Sequence, residues 1–299
     1  MKILSWNARG VGRPHFVAQV RTLVSIYKPD FIFIMETKAN NDKINKIAKK
    51  IGFDNHFVVP GEGLSGGLWI FWNSNTCNAN VIDHCDRYIH IRVFDSIKHS
   101  FWQLTCIYGY PQHAKQTYLW DKIYSIANKV GEPWAVISDF NEILSVHEKK
   151  GGNAGNSSRI NDFMEFIDRC NLIDIGHIGL PYTWYNKREG IDAIFERLDR
   201  VLVNLDWLND YPNAWVDNLP IMGSDHGPIL LVTDKETNKG RKPFKFETVW
   251  MDSPKMENIV RDAWSSNVQG SNSFRLARKI SKFCSLACDW NKNNFGNFN

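Results

Sequence analysis

Six short strings hold nearly all of the conspicuous polar residues before position 233: WNARG at 6–10, METK at 35–38, IYGYP at 107–111, SDFNEI at 138–143, RLDRVL at 197–202 and GSDHGP at 223–228. The groups they offer are complementary. Glu36, Asp139, Asp199 and Asp225 are carboxylates able to hold a cation or take a proton, and Asn7 and Asn141 are amides able to orient them. Tyr108 is a phenolic donor, and His226 is an imidazole whose charge a neighbouring carboxylate can set. Singly, each has an ordinary role. Asn7 or Asn141 can cap a turn, Glu36 a following helix, and Tyr108 can be an amphipathic core aromatic. Asp199 between Arg197 and Arg200 can be a surface ion pair, and His226 a structural histidine. Collectively they share a position, each string falling at or just after an apolar run, and a carboxylate there destabilises the fold unless it is paired or metal-bound.

The elements that must position these groups are legible from patterning. Apolar, β-branched runs predict strands at 3–7, 31–35, 67–72, 89–94, 101–108, 134–138, 197–203 and 228–232. Phe16, Val20, Leu23, Val24 and Tyr27 recur at helical spacing after Pro14, and Ile123, Ile126, Ala127 and Val130 do likewise. This alternation predicts an α/β or α+β domain over residues 1–233.

A polar, basic stretch, DKETNKGRKP, follows at 234–243 and marks a predicted boundary. Beyond it, over 234–299, Leu276, Ile280, Phe283, Ala287 and Trp290 fall on one helical face, predicting a helical extension that needs a partner surface. The net charge of +4 is concentrated there: residues 241–299 carry ten Lys/Arg against five Asp/Glu, leaving 26 against 27 in the first 240. Global charge therefore names no ligand, since a local basic patch can hold a polyanion on a neutral body. The six cysteines form no C-x₂-C pair and no dense framework, and read as reduced thiols. No apolar run approaches the length of a membrane span, and no signal peptide precedes the first strand. A soluble intracellular protein is the expectation.

Taken in order, the six strings resemble the signature of the endonuclease/exonuclease/phosphatase superfamily, which includes apurinic-site repair nucleases, DNase I and retrotransposon endonucleases. The resemblance spans about residues 1–233 and implies a DNase I-like fold, a four-layer αββα sandwich of two mixed β-sheets with the site at one edge between them. It implies that Glu36 ligates Mg²⁺, with Mn²⁺ as a substitute, and that Asp225 and Asp139 lie in or near the metal shell. Hard carboxylate oxygens without a softer ligand cluster suit Mg²⁺ over Zn²⁺. It further implies that Asp139 orients or deprotonates the attacking water, Asn7 and Asn141 hold phosphate and carboxylates, Asp199 pairs with His226, and Tyr108 donates to developing charge.

Arg9 departs from the repair branch, where the residue two after the first asparagine is acidic; an arginine suits phosphate binding instead. The string PYTWYN at 181–186 resembles the plant LINE-type (non-LTR) retrotransposon pattern, making Thr183, Trp184 and Asn186 candidate DNA contacts, with core packing the ordinary alternative for Trp184. The stretch KREGIDAIFE at 187–196 is expected to form a hairpin loop reaching towards a groove. Segments KFETVW at 245–250 and WNKNNFGN at 290–297, with Trp264, resemble the region joining endonuclease to reverse transcriptase in plant LINE-type polyproteins. Since no reverse-transcriptase motif is present, the chain reads as a fragment of such an element. The expected activity is Mg²⁺-dependent nicking of double-stranded DNA leaving a 3′-hydroxyl, by a monomer in the nucleus, with a reverse-transcriptase domain reached through the C-terminal helices. Two other readings share these residues: a phosphatase or phosphodiesterase of the same superfamily, and an inactive relic that only binds nucleic acid.

Overall fold

A computed structural model describes residues 1–39, 44–62, 65–96, 98–153, 155–233, 250–251, 253–267 and 272–294. The basic stretch at 234–243, most of KFETVW and the end of WNKNNFGN lie outside the described residues. The chain divides into two compact units, Met1–Glu236 and Thr237–Asn299.

In the first unit the strands are β1 (Lys2–Asn7), β2 (Phe31–Met35), β3 (Asn55–Glu62), β4 (Ser65–Trp72), β5 (Asn78–His84), β6 (Tyr88–Asp95), β7 (Ser100–Tyr108) and β8 (Trp134–Asp139). Short pieces follow at β9 (Lys149–Lys150), β10 (Ile173–Asp174), β11 (Ile178–Gly179), β12 (Trp184–Tyr185) and β13 (Phe195–Glu196). The last are β14 (Asp199–Val203), β15 (Trp215–Asn218) and β16 (Ile229–Val232). Among the described residues they are accompanied by the α-helices α1 (Phe16–Tyr27), α2 (Ile44–Ile51), α3 (His113–Ala127), α4 (Ser157–Arg169) and α5 (Leu205–Asp210). One sheet runs β11-β15-β16-β1-β2-β4-β3 and the other β10-β14-β8-β7-β6-β5, both mixed.

Period-two alternation explains why two sheets stack. On β1 and β2, Ile3, Phe31, Phe33 and Met35 face inward and meet Ile91, Leu104, Cys106, Ile137 and Val201 of the other sheet. Their neighbours Leu4, Trp6, Ile32 and Ile34 face outward and are covered by Phe16, Val20 and Leu23 of α1 and by Ile44, Ala48 and Ile51 of α2. On the opposite side Ile107, Val136 and Leu202 are covered by Trp120 and Ile123 of α3 and by Phe163 and Phe166 of α4. The expected αββα sandwich is therefore present. Each central strand is buried on both faces, which is why the runs read as continuous rather than alternating.

Three differences from the sequence reading have local causes. The segment expected as a strand over 197–203 begins only at Asp199, because the Arg197 N–H bonds to Glu148 rather than to the large sheet. Helix α3 starts at His113, well before the first periodic residue assigned to it. Asp199 is not a surface ion pair with its flanking arginines. Arg197 reaches Glu148 at 2.8 Å and Asp174 at 3.0 Å, and Arg200, fully buried, reaches the same two carboxylates at 2.8 and 2.9 Å.

In the second unit α6 (Pro254–Trp264) and α7 (Asn272–Asn294) form a helical pair around Trp250, Met256 and Ala287, with Phe283 and Trp290 packed on them. The apolar stripe expected to await a partner is thus partly used within this pair; Leu276 and Ile280 stay exposed. Among the described residues no helix is long and apolar enough to cross a membrane.

The four-charge network yields a test. Burial pushes the Glu148 and Asp174 carboxyls up, but Arg200 and Arg197 outweigh it and hold both below the usual carboxylate range. A depressed folded-state pKa contributes stability above the unfolded value, here about 4, that is lost as pH falls through the folded value. Melting temperature should therefore be insensitive to these two groups above about pH 5 and decline below about pH 4. Asp174→Asn should flatten part of that acid limb in thermal melts; an unchanged limb would remove the network as its cause.

Candidate active site

Strand register builds the site. Asp139 at the end of β8 is flanked in register by Tyr108 on the parallel β7 and by Asp199 on the antiparallel β14. Across the sandwich, β1 ends at Asn7 beside Met35, so that Glu36 is the next residue out. Just beyond, the two chains run side by side: the N–H groups of Ala8, Gly10 and Val11 donate to the carbonyls of Met35, Glu36 and Thr37. Arg9 and Glu36 both sit in the left-handed region there, at φ 49 and 53, a strained state for non-glycine residues that a surrounding structure must enforce. The Arg13 guanidinium helps by donating to the carbonyls of Ala8, Gly10 and Gly223.

The other loops interlock. Gly109 N–H donates to the Asp139 carbonyl at 2.7 Å, and a Cβ on Gly109 would lie 2.3 Å from the Phe140 carbonyl oxygen, so no larger residue fits. Asn141 gives its side-chain N–H to the Gly109 carbonyl at 2.8 Å and its backbone N–H to Asp139 Oδ1 at 2.9 Å. Ser224 Oγ donates to the Asn7 carbonyl at 2.7 Å, and Trp6 Nε1 to the His226 carbonyl at 3.1 Å.

The result is a buried line of charge. Asn7 Nδ2 donates to Asp139 Oδ2 at 2.9 Å, His226 Nε2 lies 3.7 Å from that same oxygen, and His226 Nδ1 is 3.0 Å from Asp199 Oδ2. Asp139, Asp199 and His226 are at most 2% exposed. Burial pushes the Asp139 carboxyl up, and although His226 and Asn7 oppose this, it stands at about 7. Burial pulls His226 down, but Asp139 and then Asp199 outweigh it and raise the imidazole to about 9. The Tyr108 phenol is pushed up by burial and by the carboxylates of Glu36, with which it hydrogen-bonds, and Asp139, so its proton is held as a donor.

A second cluster lies beside the first and is more open. Arg9 bridges two carboxylates, with Nε 3.4 Å from Glu36 Oε2 and Nη1 3.1 Å from Asp225 Oδ2, while Lys38 Nζ is 2.9 Å from Glu36 Oε1. Trp184 Nε1 donates to the same Asp225 oxygen at 2.9 Å, and Trp184 pairs through its backbone with His226. Burial raises the Asp225 carboxyl, yet His226, Trp184 and Arg9 hold it below its ordinary range. An open cleft of about 430 Å³ adjoins this cluster, lined by Arg9, Trp184, Asn186, Lys187, Arg188 and Asp225 among others.

Donor chemistry separates the two clusters as metal holders. Asp139, Asp199 and His226 bring ligand-type atoms within 4.8 Å of one another, the one such group among the described residues. Asp199 Oδ2 and His226 Nδ1 are already bonded to each other, however, so those two form a hydrogen-bonded relay with Asp139 in charge contact beyond it. Glu36 and Asp225, whose oxygens converge on one cationic group, fit a hard divalent ion.

All eight expected core residues thus converge, Asn7, Glu36, Tyr108, Asp139, Asn141, Asp199, Asp225 and His226. Of the four expected DNA contacts, Arg9 and Trp184 line the cleft with their polar atoms on Asp225. Thr183 is not a surface contact: it is 1% exposed, and its hydroxyl accepts the N–H groups of Leu198 and Asp199 at 3.0 and 2.9 Å, fixing the start of β14. Asn186 lines the cleft, yet its amide shapes the 187–194 loop through Arg188 N, Ile194 N and the Asp192 carbonyl. Two cations received no role from the sequence: Lys38, the last residue of METK, and Arg87, which lies outside the six strings and whose guanidinium is 4.9 Å from the Tyr108 ring and 4.0 Å from the Tyr110 ring.

A sandwich of two mixed sheets with a carboxylate, amide, tyrosine and histidine set at their shared edge defines a class of phosphoester-cleaving proteins, and sequence comparison agrees. Residues 4–226 match the Endonuclease/Exonuclease/phosphatase family, and the chain belongs to it. Its fold is similar to that of an AP endonuclease from Leishmania major (TM-score 0.60, 17% identity, covering 77% of this chain and 86% of that one). It is also similar to a 3'-5' exonuclease from Neisseria meningitidis (0.59, 18%, 78% and 100%). A third similar structure is the endonuclease domain of TRAS1, a telomere-specific non-LTR retrotransposon (0.56, 14%, 77% and 96%). No curated protein matches the chain in sequence.

The relay makes a spectroscopic prediction. In metal-free protein, His226 should titrate near 9 by imidazole NMR, and Asp199→Asn should lower that value by at least about one unit, because the amide keeps the hydrogen bond and removes the charge. An unchanged titration would show that Asp199 does not set the charge on His226.

Proposed function

We propose that the protein is a Mg²⁺-dependent endonuclease that nicks double-stranded DNA and leaves a 3′-hydroxyl, of the kind carried by plant LINE-type retrotransposons. The reading extends to action as a monomer in the nucleus, with a reverse-transcriptase domain as the partner of the C-terminal helices. The observation that carries the chemistry is the buried line Asn7–Asp139–His226–Asp199 set beside the Glu36/Asp225 pair at the mouth of a cationic, indole-lined cleft. Family membership supports phosphoester hydrolysis, and the strings PYTWYN and KFETVW support the retroelement branch.

In this reading Asp139, poised near neutrality and oriented by Asn7 and the Asn141 N–H, takes the proton of the attacking water. His226, held as imidazolium by Asp199, donates to a phosphoryl oxygen, and the Tyr108 hydroxyl supplies a second donor to the developing charge. Glu36 and Asp225, and Asp139 as a further candidate, would hold a Mg²⁺ ion, which when bound would supply charge to stabilise the phosphoryl group and the leaving 3′-oxygen. Lys187 and Arg188 bring cationic charge to the backbone of the duplex.

Conversion of supercoiled to open-circular plasmid in Mg²⁺, abolished by EDTA and by Glu36→Ala, is the expected outcome. Asp199→Asn and His226→Ala should each slow nicking by about 10²–10⁴, with the double variant little slower than the worse single one, since the two residues act as a unit. Nicking that survives EDTA, or single losses that multiply in the double variant, would overturn the mechanism.

Arg9 and the 187–194 loop set a second expectation. With matched oligonucleotides, an abasic site should be cleaved no faster than intact or bent duplex, because Arg9 stands where the repair branch is acidic. A strong abasic preference would move the protein into that branch.

A further inference from the structure

Arg9 occupies the position that the proposed reaction assigns to a metal ion. Its guanidinium contacts Glu36 and Asp225 together, the two carboxylates whose oxygens converge there, while Lys38 holds the other oxygen of Glu36. Two further features distinguish Arg9 from a structural ion-pair partner. Its side chain is 51% exposed, against 10% and 8% for the carboxylates it bridges, whereas the structural arginines Arg197 and Arg200 are 7% and 0% exposed. It also lines the cleft beside Trp184, Lys187 and Arg188, so rotation about its side-chain bonds can turn the guanidinium from the carboxylates towards the cleft. The left-handed backbone at Arg9, pinned by the N–H to Asn7 Oδ1 at 3.1 Å, fixes the Cα while leaving the long side chain to choose its partner.

We propose that Arg9 is an exchangeable counter-ion: it neutralises Glu36 and Asp225 in the metal-free protein, is displaced when a divalent cation binds them, and then clamps a phosphate of the DNA strand in the cleft. The proposal rests on the metal-dependent nuclease reading above. Its physical basis is that two largely buried carboxylates contacting one guanidinium are neutralised by it, and that a divalent ion and a guanidinium repel each other too strongly to share the place. A guanidinium freed in a cleft is well suited to phosphate, for which its planar fork is matched. Arg9 thereby couples the two binding events: metal binding releases the group that grips DNA, and DNA binding, by holding that group away, favours the metal.

The test uses the full chain and Arg9→Met, which keeps the Cβ and an unbranched stem while removing the charged head, so the backbone strain at this position is unchanged. Without DNA, Mn²⁺ binding read by electron paramagnetic resonance should be tighter in Arg9→Met than in wild type by about tenfold, within the range ordinary coupling energies give. Lys38→Met, which removes a cation from Glu36 alone, should tighten binding less. Affinity for a short DNA duplex should then be measured against salt, with EDTA and with Ca²⁺ standing in as a hard, oxygen-seeking cation. In Ca²⁺ the slope of log K against log salt should be shallower by about one in Arg9→Met, and in EDTA the two proteins should have the same slope. Equal or weaker Mn²⁺ binding by Arg9→Met overturns the exchange, as does an equal loss of slope in both conditions, because Arg9 would then be a fixed bridge or a constant phosphate ligand. Wild-type protein that binds no Mn²⁺ overturns the exchange and the metal-dependent reading together, which distinguishes that failure from failure of the exchange alone.

Discussion

Two carboxylates side by side in a dry interior are the constraint around which this molecule is built. Asp139 and Asp199 face each other across β8 and β14, both out of solvent. Burial and the neighbouring Asp199 charge both push the Asp139 carboxyl up. His226 lies against both, and its imidazolium makes the arrangement tolerable; Asn7 and the Asn141 N–H take up the remaining oxygens of Asp139. The loops carrying these residues must therefore meet to a fraction of an ångström. The Gly109–Phe140 approach, the Ser224 bond to the Asn7 carbonyl and the Trp6 bond to the His226 carbonyl hold them there.

A second set of buried charges performs a different task on the same strand. Arg197 and Arg200 flank Asp199 in sequence yet turn away from it towards Glu148 and Asp174, on elements outside the active edge. This separation matters electrostatically. Were either arginine paired to Asp199, the carboxylate would be satisfied without His226, and the imidazole would lose a charge that holds its proton. By giving the arginines their own acids, the fold keeps Asp199 for the histidine.

The fold's central part was legible because each strand is a short apolar run that ends in a polar string, and strands buried on both faces leave that signature without any partner being known. Strands β3 and β5 were not anticipated: β5, NANVIDH, lies at a sheet edge and is largely polar and exposed. Helix α2, with Ile44, Ala48 and Ile51 on one face, carried a readable period that its high lysine content masked. At the site, residue types and order identified the eight converging groups, since strand ends gather them whatever the loops do. What sequence could not supply was direction. Thr183 and Trp184 are adjacent, yet one is sealed beneath β14 and the other borders the cleft, a choice made by the small sheet β12-β13-β9. The Arg9 bridge depends on a left-handed backbone at two non-glycine residues, for which no local residue preference exists.

The pairing of Asp139 with Asp199 also sets where this protein can change length. Side chains alternate faces along a strand, so inserting or deleting one residue inside β8 or β14 would send one carboxylate to the opposite side of its sheet, away from His226. Between the two aspartates Phe140, Asn141, Thr183 and Trp184 are tied to the site, whereas the stretches that carry helix α4 and the cleft-lining loop bear no such restriction. Lineages of this protein should accordingly differ in the lengths of their loops while the strands stay fixed to the residue, so that the surface touching a substrate can be remodelled by insertion without disturbing the chemistry beneath it.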